Sequence, residues 1–352
     1  MSSVARVDEA LKSRQPPFRA QVKLHHFWST GMALVVVLLL VACGKPTQPR
    51  SKKLRVGFAQ IANEGPWRDA NTKSIKDEAA KRNIELHFFE SDNPNLKGAE
   101  QQPDQIKALQ SFVRSKLDVI AFSPVIEKGW KPVLEKAKEA RIPVILMDRG
   151  IEEDDDSLFA TFIGSDFTEE GRRAAKWLIS EFPRKDEKIK VVEIKGTEDS
   201  APAIQRSNGF RETEERSDRI INLGFETGNF TKAGAQEAMK TLLKRFDPKQ
   251  IDAVFAHSDT MALAAIEELK RSGIKAGSEI WIVSIDATTE GCKAIREGKL
   301  NCSVECKALL GPHLFDAVEA ITKSMALPAR TIVAEGIYDI RNVDEKSIAS
   351  EP

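Results

Sequence analysis

Short β-branched runs alternate with helical patterns from Leu54 onward, and this alternation constrains the fold more than any other feature of the chain. The runs recur at intervals of roughly 25 to 30 residues, the rhythm of βα units that build a parallel sheet. A first series of predicted strands covers 54–59, 84–90, 118–122 and 143–147. A second series covers 159–164, 188–194, 220–225, 253–256 and 280–285.

The stretches between these runs carry apolar residues three and four positions apart. Ile106, Leu109 and Val113 have the spacing that buries one face of a helix. A longer apolar stripe follows Thr231, and it consists of Ala235, Met239, Leu242, Leu243 and Phe246. The sequence therefore predicts an α/β protein, and two series in a chain longer than one core usually holds predict two doubly wound, Rossmann-like lobes with a cleft between them.

Residues 32–42 form an apolar run that ends at Cys43. Basic residues precede the run, Gly44 follows Cys43, and about a dozen apolar residues fall short of the ~20 that cross a hydrocarbon core. This layout is typical of a secretory signal, and Leu40-Val-Ala-Cys43 resembles the bacterial lipobox, in which the cysteine is lipidated. We expect residues 1–42 to be a signal peptide and 43–53 a lipidated tether, with a retained membrane helix as the alternative.

Charge and cysteine content narrow the classes of partner. Lys plus Arg and Asp plus Glu number 53 each, and no basic tract follows the apolar run, which argues against binding to nucleic acid. Besides Cys43 the chain has Cys292, Cys302 and Cys306, which could form one disulfide and one thiol or remain three buried thiols. Because only His313 lies nearby, the spacing does not favour zinc, and we predict neither a metal nor a cofactor.

Polar residues cluster where the predicted strands end, which is where ligands of doubly wound sheets collect. Trp67 and Arg68 follow the first strand, and the indole could stack on a ligand or pack on its own lobe. Asp148 and Arg149 end another strand, where they could form an ion pair or clasp vicinal hydroxyls. These four positions are candidates for a ligand site.

Three further candidates have a competing structural interpretation. Asp259 begins the helix predicted over 260–270 and Asp286 ends the last strand of the second series, so each could cap a helix instead of binding a ligand. Arg206 lies on a helix predicted after Ser200, where a lone arginine is usually solvated. The residues alone leave these alternatives open.

The set as a whole resembles the periplasmic sugar-binding proteins of the ribose and galactofuranose type, which share a LacI-like ligand-binding core. The resemblance covers nearly all of 54–339, and the galactofuranose branch is closer than the ribose branch. The matching segments are Val56-Gly-Phe58, Gly65-Pro-Trp-Arg68, 105–113, Ser123-Pro-Val125 with Gly129-Trp130, 143–149, Gly228-Asn-Phe-Thr231, 256–261 and 284–286.

The resemblance implies that the cleft binds a monosaccharide and that Ser258 stands where the family usually has asparagine, which would alter the hydroxyl pattern recognised. It also places Glu305 at the second crossing between the lobes. The implied ligand-binding residues are Trp67, Arg68, Asp148, Arg149, Arg206, Phe230, Ser258, Asp259, Asp286 and Glu305.

The implied architecture is that of a type I periplasmic binding protein, whose two lobes close about a three-segment hinge. We expect crossings near Ile151, Glu305 and Tyr338, with the acidic run 152–156 as a solvated loop beside the hinge or, alternatively, a calcium site. The expected boundaries are 54–150 with about 306–330 for the N-terminal lobe, 151–305 with about 331–342 for the C-terminal lobe, and 343–352 for a tail.

The resemblance also implies that the chain is a monomeric, membrane-anchored receptor. Its implied partner is an ABC permease with a separate ATPase. A sensor that presents its closed form to a chemoreceptor or histidine kinase is the alternative. A LacI-type repressor would need a helix-turn-helix where the signal segment stands. An enzyme is not expected, because the adjacent His257, Ser258 and Asp259 would point in different directions and no Gly-rich or Walker phosphate loop is present.

Overall fold

The computed structural model describes residues 53–91, 96, 98–152, 155–184 and 186–344. The predicted signal peptide, the lipidation site Cys43, most of the tether and most of the tail lie outside these residues, as does part of the acidic run 152–156. Among the helices that the described residues form, none has the length and apolar character needed to cross a membrane.

The first sheet has six parallel strands in the order β2-β1-β3-β4-β5-β11. Its strands are β1 (Arg55–Gln60), β2 (Glu85–Glu90), β3 (Val119–Phe122), β4 (Val144–Met147), β5 (Thr161–Gly164) and β11 (Arg330–Ile332). Helices α1 (Pro66–Lys81) and α9 (Gly311–Thr322) pack against one side of this sheet. Helices α2 (Gln102–Arg114) and α3 (Lys131–Glu139) pack against the other.

The second sheet has the order β7-β6-β8-β9-β10-β12, in which only β12 runs antiparallel to its neighbour. Its strands are β6 (Ile189–Lys195), β7 (Ile220–Thr227), β8 (Ala253–Ala256), β9 (Trp281–Asp286), β10 (Cys302–Glu305) and β12 (Ile337–Asp339). One side is covered by α4 (Phe167–Glu181) and α5 (Ala201–Ser217). The other is covered by α6 (Lys232–Arg245), α7 (Asp259–Arg271) and α8 (Thr289–Arg296).

The predicted α/β class with two doubly wound sheets is confirmed. All nine predicted strands are present, each within two residues at either end. The pattern missed β10, β11 and β12. β11 and β12 have only three residues, too few to display a periodicity, and β11 is also largely exposed at the edge of its sheet. β10 is as long as several predicted strands, but its residues Cys302-Ser-Val-Glu305 do not form an apolar β-branched run.

The lobes are divided at different residues from those expected. Strand β5 pairs with β4 in the first sheet, so the chain stays in the N-terminal lobe past Ile151 and crosses between Gly164 and Phe167. The second crossing follows Glu305, as expected. The third joins β11 to β12 through 333–336, so β11 also belongs to the N-terminal lobe. The expected boundary was wrong because the acidic run after β4 does not mark a crossing, and the next strand, β5, still belongs to the first sheet.

Close contact between α4 and α5 fixes one wall of the cleft. A Cβ atom at Gly171 would overlap the backbone oxygen of Arg206, and one at Gly209 would overlap that of Thr168. Only glycine at these two positions permits the helices to approach this closely. The approach brings Glu170 on α4 within hydrogen-bonding distance of Arg206 on α5.

Candidate functional site

A cavity lies where the carboxyl ends of the strands of the two lobes face each other. This is the position that doubly wound sheets offer to a ligand. Eight of the ten predicted site residues line its wall, namely Trp67, Arg68, Asp148, Arg149, Arg206, Phe230, Ser258 and Asp286.

The N-terminal lobe contributes a buried cluster of charges. Arg68 Nη2 donates to Asp148 Oδ2 at 2.8 Å, and Arg149 Nη2 donates to Glu64 Oε2 at 2.5 Å. Ser123 Oγ donates to the same Asp148 oxygen at 3.0 Å. Both arginine charges are thus compensated within the lobe, and the two side chains are held in fixed directions.

Three guanidinium nitrogens in this cluster have no acceptor among the described residues: Nε of Arg68 and both Nε and Nη1 of Arg149. The two residues are only 3% and 2% exposed, so water in bulk does not reach these donors. Burial lowers the pKa of Arg149. Burial also lowers the pKa of Arg68, but the charges of Asp148 and Glu64 raise it overall. Unpaired buried donors are costly, so this wall is built to receive acceptor atoms.

The C-terminal lobe contributes Arg206, which is buried and not solvated. Its Nε donates to Glu170 Oε2 at 2.7 Å and its Nη1 donates to the backbone oxygen of His257 at 2.6 Å. Its guanidinium carbon lies 4.9 Å from the ring centre of Phe167 and 5.9 Å from that of Phe230. The helical position that first suggested a surface residue therefore points into the cleft.

Aromatic rings cover the cavity from both lobes. The Trp67 indole donates to the backbone oxygen of Cys306 at 2.6 Å and packs with the core of the C-terminal lobe, so it does not simply pack on its own lobe. Phe230 reaches from the C-terminal lobe to within 5.2 Å of the Arg149 guanidinium carbon. These flat surfaces suit a ligand with apolar faces and a polar rim.

Left-handed backbone conformations occur at the strand ends that face the cavity. Asp148 has a φ of 62°, Asp286 of 115° and Phe230 of 57°. Such values are uncommon for residues with a Cβ atom and concentrate at ligand sites, where the surrounding structure holds them. Here they turn three wall residues toward the cleft.

The lobes are closed over the cavity. The backbone amide of Glu127 donates to the backbone oxygen of Asp199 at 2.9 Å. Gln205 Nε2 donates to Glu127 Oε1 at 3.1 Å, and both hydrogen bonds cross the cleft. Thr197 Oγ1 also donates to Glu64 Oε1 at 3.5 Å. The charged cluster of the N-terminal lobe is therefore in direct contact with the other lobe.

Two predicted site residues do not lie on the cavity wall. Asp259 is fully buried inside the C-terminal lobe, where its carboxylate accepts hydrogen bonds from Ser284, Ser303 and both the amide and hydroxyl of Thr288. It does not cap α7 either, because Ser258 Oγ accepts from Met261 N and takes that role. Glu305 accepts from the Gly336 amide at 2.6 Å and pairs with Lys307, so it ties two crossings together.

Sequence reasoning missed five wall residues. Glu64 had a usable signal, because it follows β1 and stands four residues before Arg68. Phe167, Pro202 and Thr260 lie in the first turns of α4, α5 and α7, which begin at the cleft. Cys306 lies in the second crossing.

The histidine and the cysteines have structural roles that settle earlier alternatives. His257 Nε2 pairs with Glu193 at 2.8 Å, away from Ser258, so the three adjacent residues form no catalytic triad. Burial lowers the pKa of His257 despite the neighbouring Glu193. Cys292, Cys302 and Cys306 are buried thiols, and no disulfide joins any of them within the part of the chain that the structure describes.

Two doubly wound lobes, three crossings and a closed interlobe cavity define the class of two-lobed binding proteins. The chain belongs to the periplasmic binding protein domain family, whose pattern matches residues 56–305. Members of this class bind ligands by closure.

Relatives within the family are sugar-binding proteins. The chain is 35% identical over 306 residues to the galactofuranose-binding protein YtfQ of Escherichia coli K12, covering 86% of this chain and 93% of that one. A Mycobacterium smegmatis protein solved in complex with β-D-fucofuranose is 38% identical, with a TM-score of 0.78 and coverages of 83% and 93%. The binding protein of the Shewanella sp. ANA-3 arabinose ABC transporter, bound to α- and β-L-arabinofuranose, is 36% identical, with a TM-score of 0.77 and coverages of 84% and 94%.

Proposed function

We propose that this protein is an exported receptor that captures a neutral monosaccharide, in its furanose form, between the two lobes. The observation that carries the proposal is the set of unpaired donors on Arg68 and Arg149 in the closed cavity. Sugar hydroxyls would accept from these donors. An anionic ligand is disfavoured because Asp148 and Glu64 already compensate both arginine charges.

The furanose form is supported by two relatives above 35% identity whose structures contain fucofuranose and arabinofuranose. The cavity supports a flat ring as ligand, since Trp67 and Phe230 both lie on its wall. The proposed ligand-binding residues are the eight predicted residues that line the cavity, together with Glu64.

Hinge closure is the proposed mechanism. A ligand held by Arg149 on one lobe and Arg206 on the other makes all its contacts only when the lobes are closed, so it shifts the population toward that state. The interlobe contacts of Glu127 with Gln205 and Asp199 add to the same state. No covalent step is required, in keeping with a binding protein rather than an enzyme.

Ring-locked sugars test the proposed ligand. We expect methyl β-D-galactofuranoside to bind at least tenfold more tightly than methyl β-D-galactopyranoside, and to raise the unfolding temperature because a ligand of the folded state stabilises it by mass action. Isothermal titration calorimetry and thermal unfolding measure both effects. Equal affinity for the two ring forms would refute the furanose assignment, and no binding by any monosaccharide in a wider panel would refute the sugar.

Delivery to an ABC permease is the proposed use of the captured sugar. The Shewanella relative is part of an arabinose ABC transporter, which favours transport over the sensory alternative. Deleting the gene is expected to abolish uptake of the labelled sugar that calorimetry identifies. Unchanged uptake with a lost transcriptional response would favour the sensor instead.

A lipid anchor on Cys43 is proposed to keep the receptor at the membrane. The proposal is supported by the apolar run 32–42 and by the lipobox-like Leu40-Val-Ala-Cys43. The Cys43→Ser variant is expected to lose labelling by radioactive palmitate and to leave the membrane fraction. Labelling that persists in this variant would contradict the proposal, and Cys292→Ser, at a buried thiol, serves as the matched control.

A further inference from the structure

Two carboxylates and a thiol from three different segments meet beside the hinge, and of these three residues Cys306 also lines the cavity. Glu170 stands on α4 just after the first crossing, Cys306 lies in the second crossing and Glu335 in the third. One potential ligand atom from each, two carboxylate oxygens and the Cys306 sulfur, lie within 4.8 Å of one another. We call these residues the hinge cluster.

One carboxylate oxygen of the hinge cluster is left without a partner. Glu170 is only 1% exposed, and while its Oε2 accepts from Arg206, its Oε1 has no hydrogen-bond partner among the described residues. Burial raises the pKa of Glu170, and its pairing with Arg206 and the neighbouring Cys306 thiol, a weak donor, offset this only in part. A buried, unpaired carboxylate oxygen costs free energy, and a native structure usually provides a partner for it.

The other two members are also arranged around this point. Cys306 Sγ lies 3.5 Å from Ser165 Oγ, and Glu335 accepts from the Lys307 amide at 3.0 Å and from Ser165. Glu335 keeps partial contact with solvent, which gives an entry path from outside. Burial together with the charge of Glu170 raises the pKa of Glu335 to about 8, and burial also raises the pKa of Cys306. Each member thus presents one potential ligand atom to the same point.

We propose that Glu170, Cys306 and Glu335 form a binding site for a divalent transition-metal ion of the zinc type. A thiolate with two carboxylates suits zinc and cobalt, whereas calcium and magnesium take oxygen ligands only. Binding displaces the protons of the Cys306 thiol and of the Glu335 carboxyl to solvent as the metal–sulfur and metal–oxygen bonds form, and water fills the fourth position. The two charges of the ion and the one of Arg206 balance the three anionic ligands.

A metal at this point would join all three crossings. The ligands come from α4, from the segment after β10 and from the segment between β11 and β12, so one ion would restrain the angle between the lobes. Because it binds only the folded arrangement, it would also raise stability by mass action. The proposal does not depend on which sugar the cleft accepts, although Cys306 also lines the cavity.

Cobalt is the probe, because its thiolate complexes have a charge-transfer band in the near ultraviolet. The full chain carrying Cys43→Ser, freed of metal and reduced, is expected to bind one Co²⁺ with this band, and Zn²⁺ is expected to abolish it by displacement. The Cys306→Ser variant should lose the band. The Cys292→Ser variant, whose sulfur contacts the Ala287 oxygen at the start of α8, should retain it.

Glu335→Gln provides a second readout, because this partly exposed residue can be changed without emptying a core position. We expect its Co²⁺ affinity to fall at least tenfold and its zinc-dependent rise in unfolding temperature to shrink accordingly. A missing band in the parent chain, a band that survives Cys306→Ser, or unchanged affinity in Glu335→Gln would each overturn the proposal. None of these outcomes bears on sugar binding, which calorimetry measures separately.

Discussion

Replacing Arg149 by methionine is expected to weaken sugar binding by about a hundredfold or more. Methionine preserves much of the length and apolar stem of the side chain but removes the two guanidinium nitrogens that have no partner in the closed cavity. Each hydrogen bond from a charged donor contributes about 1.5–3 kcal/mol. Two such bonds correspond to a factor of ~10² to 10⁴ in affinity.

Calorimetry with the sugar identified by the ring-form panel measures this loss, and Arg172→Met is the matched control. Arg172 pairs with Glu212 and Glu169 on the outer side of α4 and α5, away from the cavity. Its replacement should leave affinity within about twofold. If Arg149→Met bound sugar with wild-type affinity and kept its fold by circular dichroism, the unpaired donors of Arg149 would not bind the sugar, and the proposed function would lose its main support.

Local sequence patterns predict those site residues that directly follow a strand. Strand ends are visible as the last residues of β-branched runs, and parallel sheets bring those ends to one edge. The sequence alone therefore predicts four of the cleft residues, namely Trp67, Arg68, Asp148 and Arg149. Glu64 fits the same rule, but its ion pair with Arg149, 85 residues away, is not visible in any local pattern.

The remaining features depend on pairings that no local pattern records. The lobe boundary was misplaced because an acidic run after β4 has the composition of a linker, while β5 still adds to the first sheet. The hinge cluster is similarly invisible, since the spacing of the cysteines argued against zinc and the two glutamates come from other crossings. Long-range assembly, not residue type, creates that site.

Asp259 has a different position in the structure from the one that the sequence predicts. The resemblance to sugar-binding proteins predicted a ligand carboxylate, but the structure buries this side chain beneath the cavity with four hydrogen bonds from Ser284, Ser303 and Thr288. Ser284 and Ser303 belong to β9 and β10, and Thr288 caps α8. The carboxylate therefore joins α7 to three neighbouring elements of the C-terminal lobe.

The Asp259→Ala variant is expected to lose about 3–5 kcal/mol of unfolding free energy, because it leaves several buried donors without an acceptor. Asp259→Asn should be mild, since its amide oxygen can still serve the Thr288 donors while the two serine hydroxyls rotate to accept from the amide nitrogen. Urea unfolding measures both, with Asp247→Ala, the cap of a short surface turn, as the control that should cost about 1 kcal/mol.

Sugar affinity decides between the two roles of Asp259. If the carboxylate only braces the lobe, Asp259→Asn should bind sugar within about threefold of wild type. If it contacts a sugar hydroxyl, as the sequence suggested, the amide would replace an acceptor by a donor and affinity should fall about tenfold or more. We expect the first result, because Asp259 is fully buried and the cavity wall above it is formed by its neighbours Ser258 and Thr260.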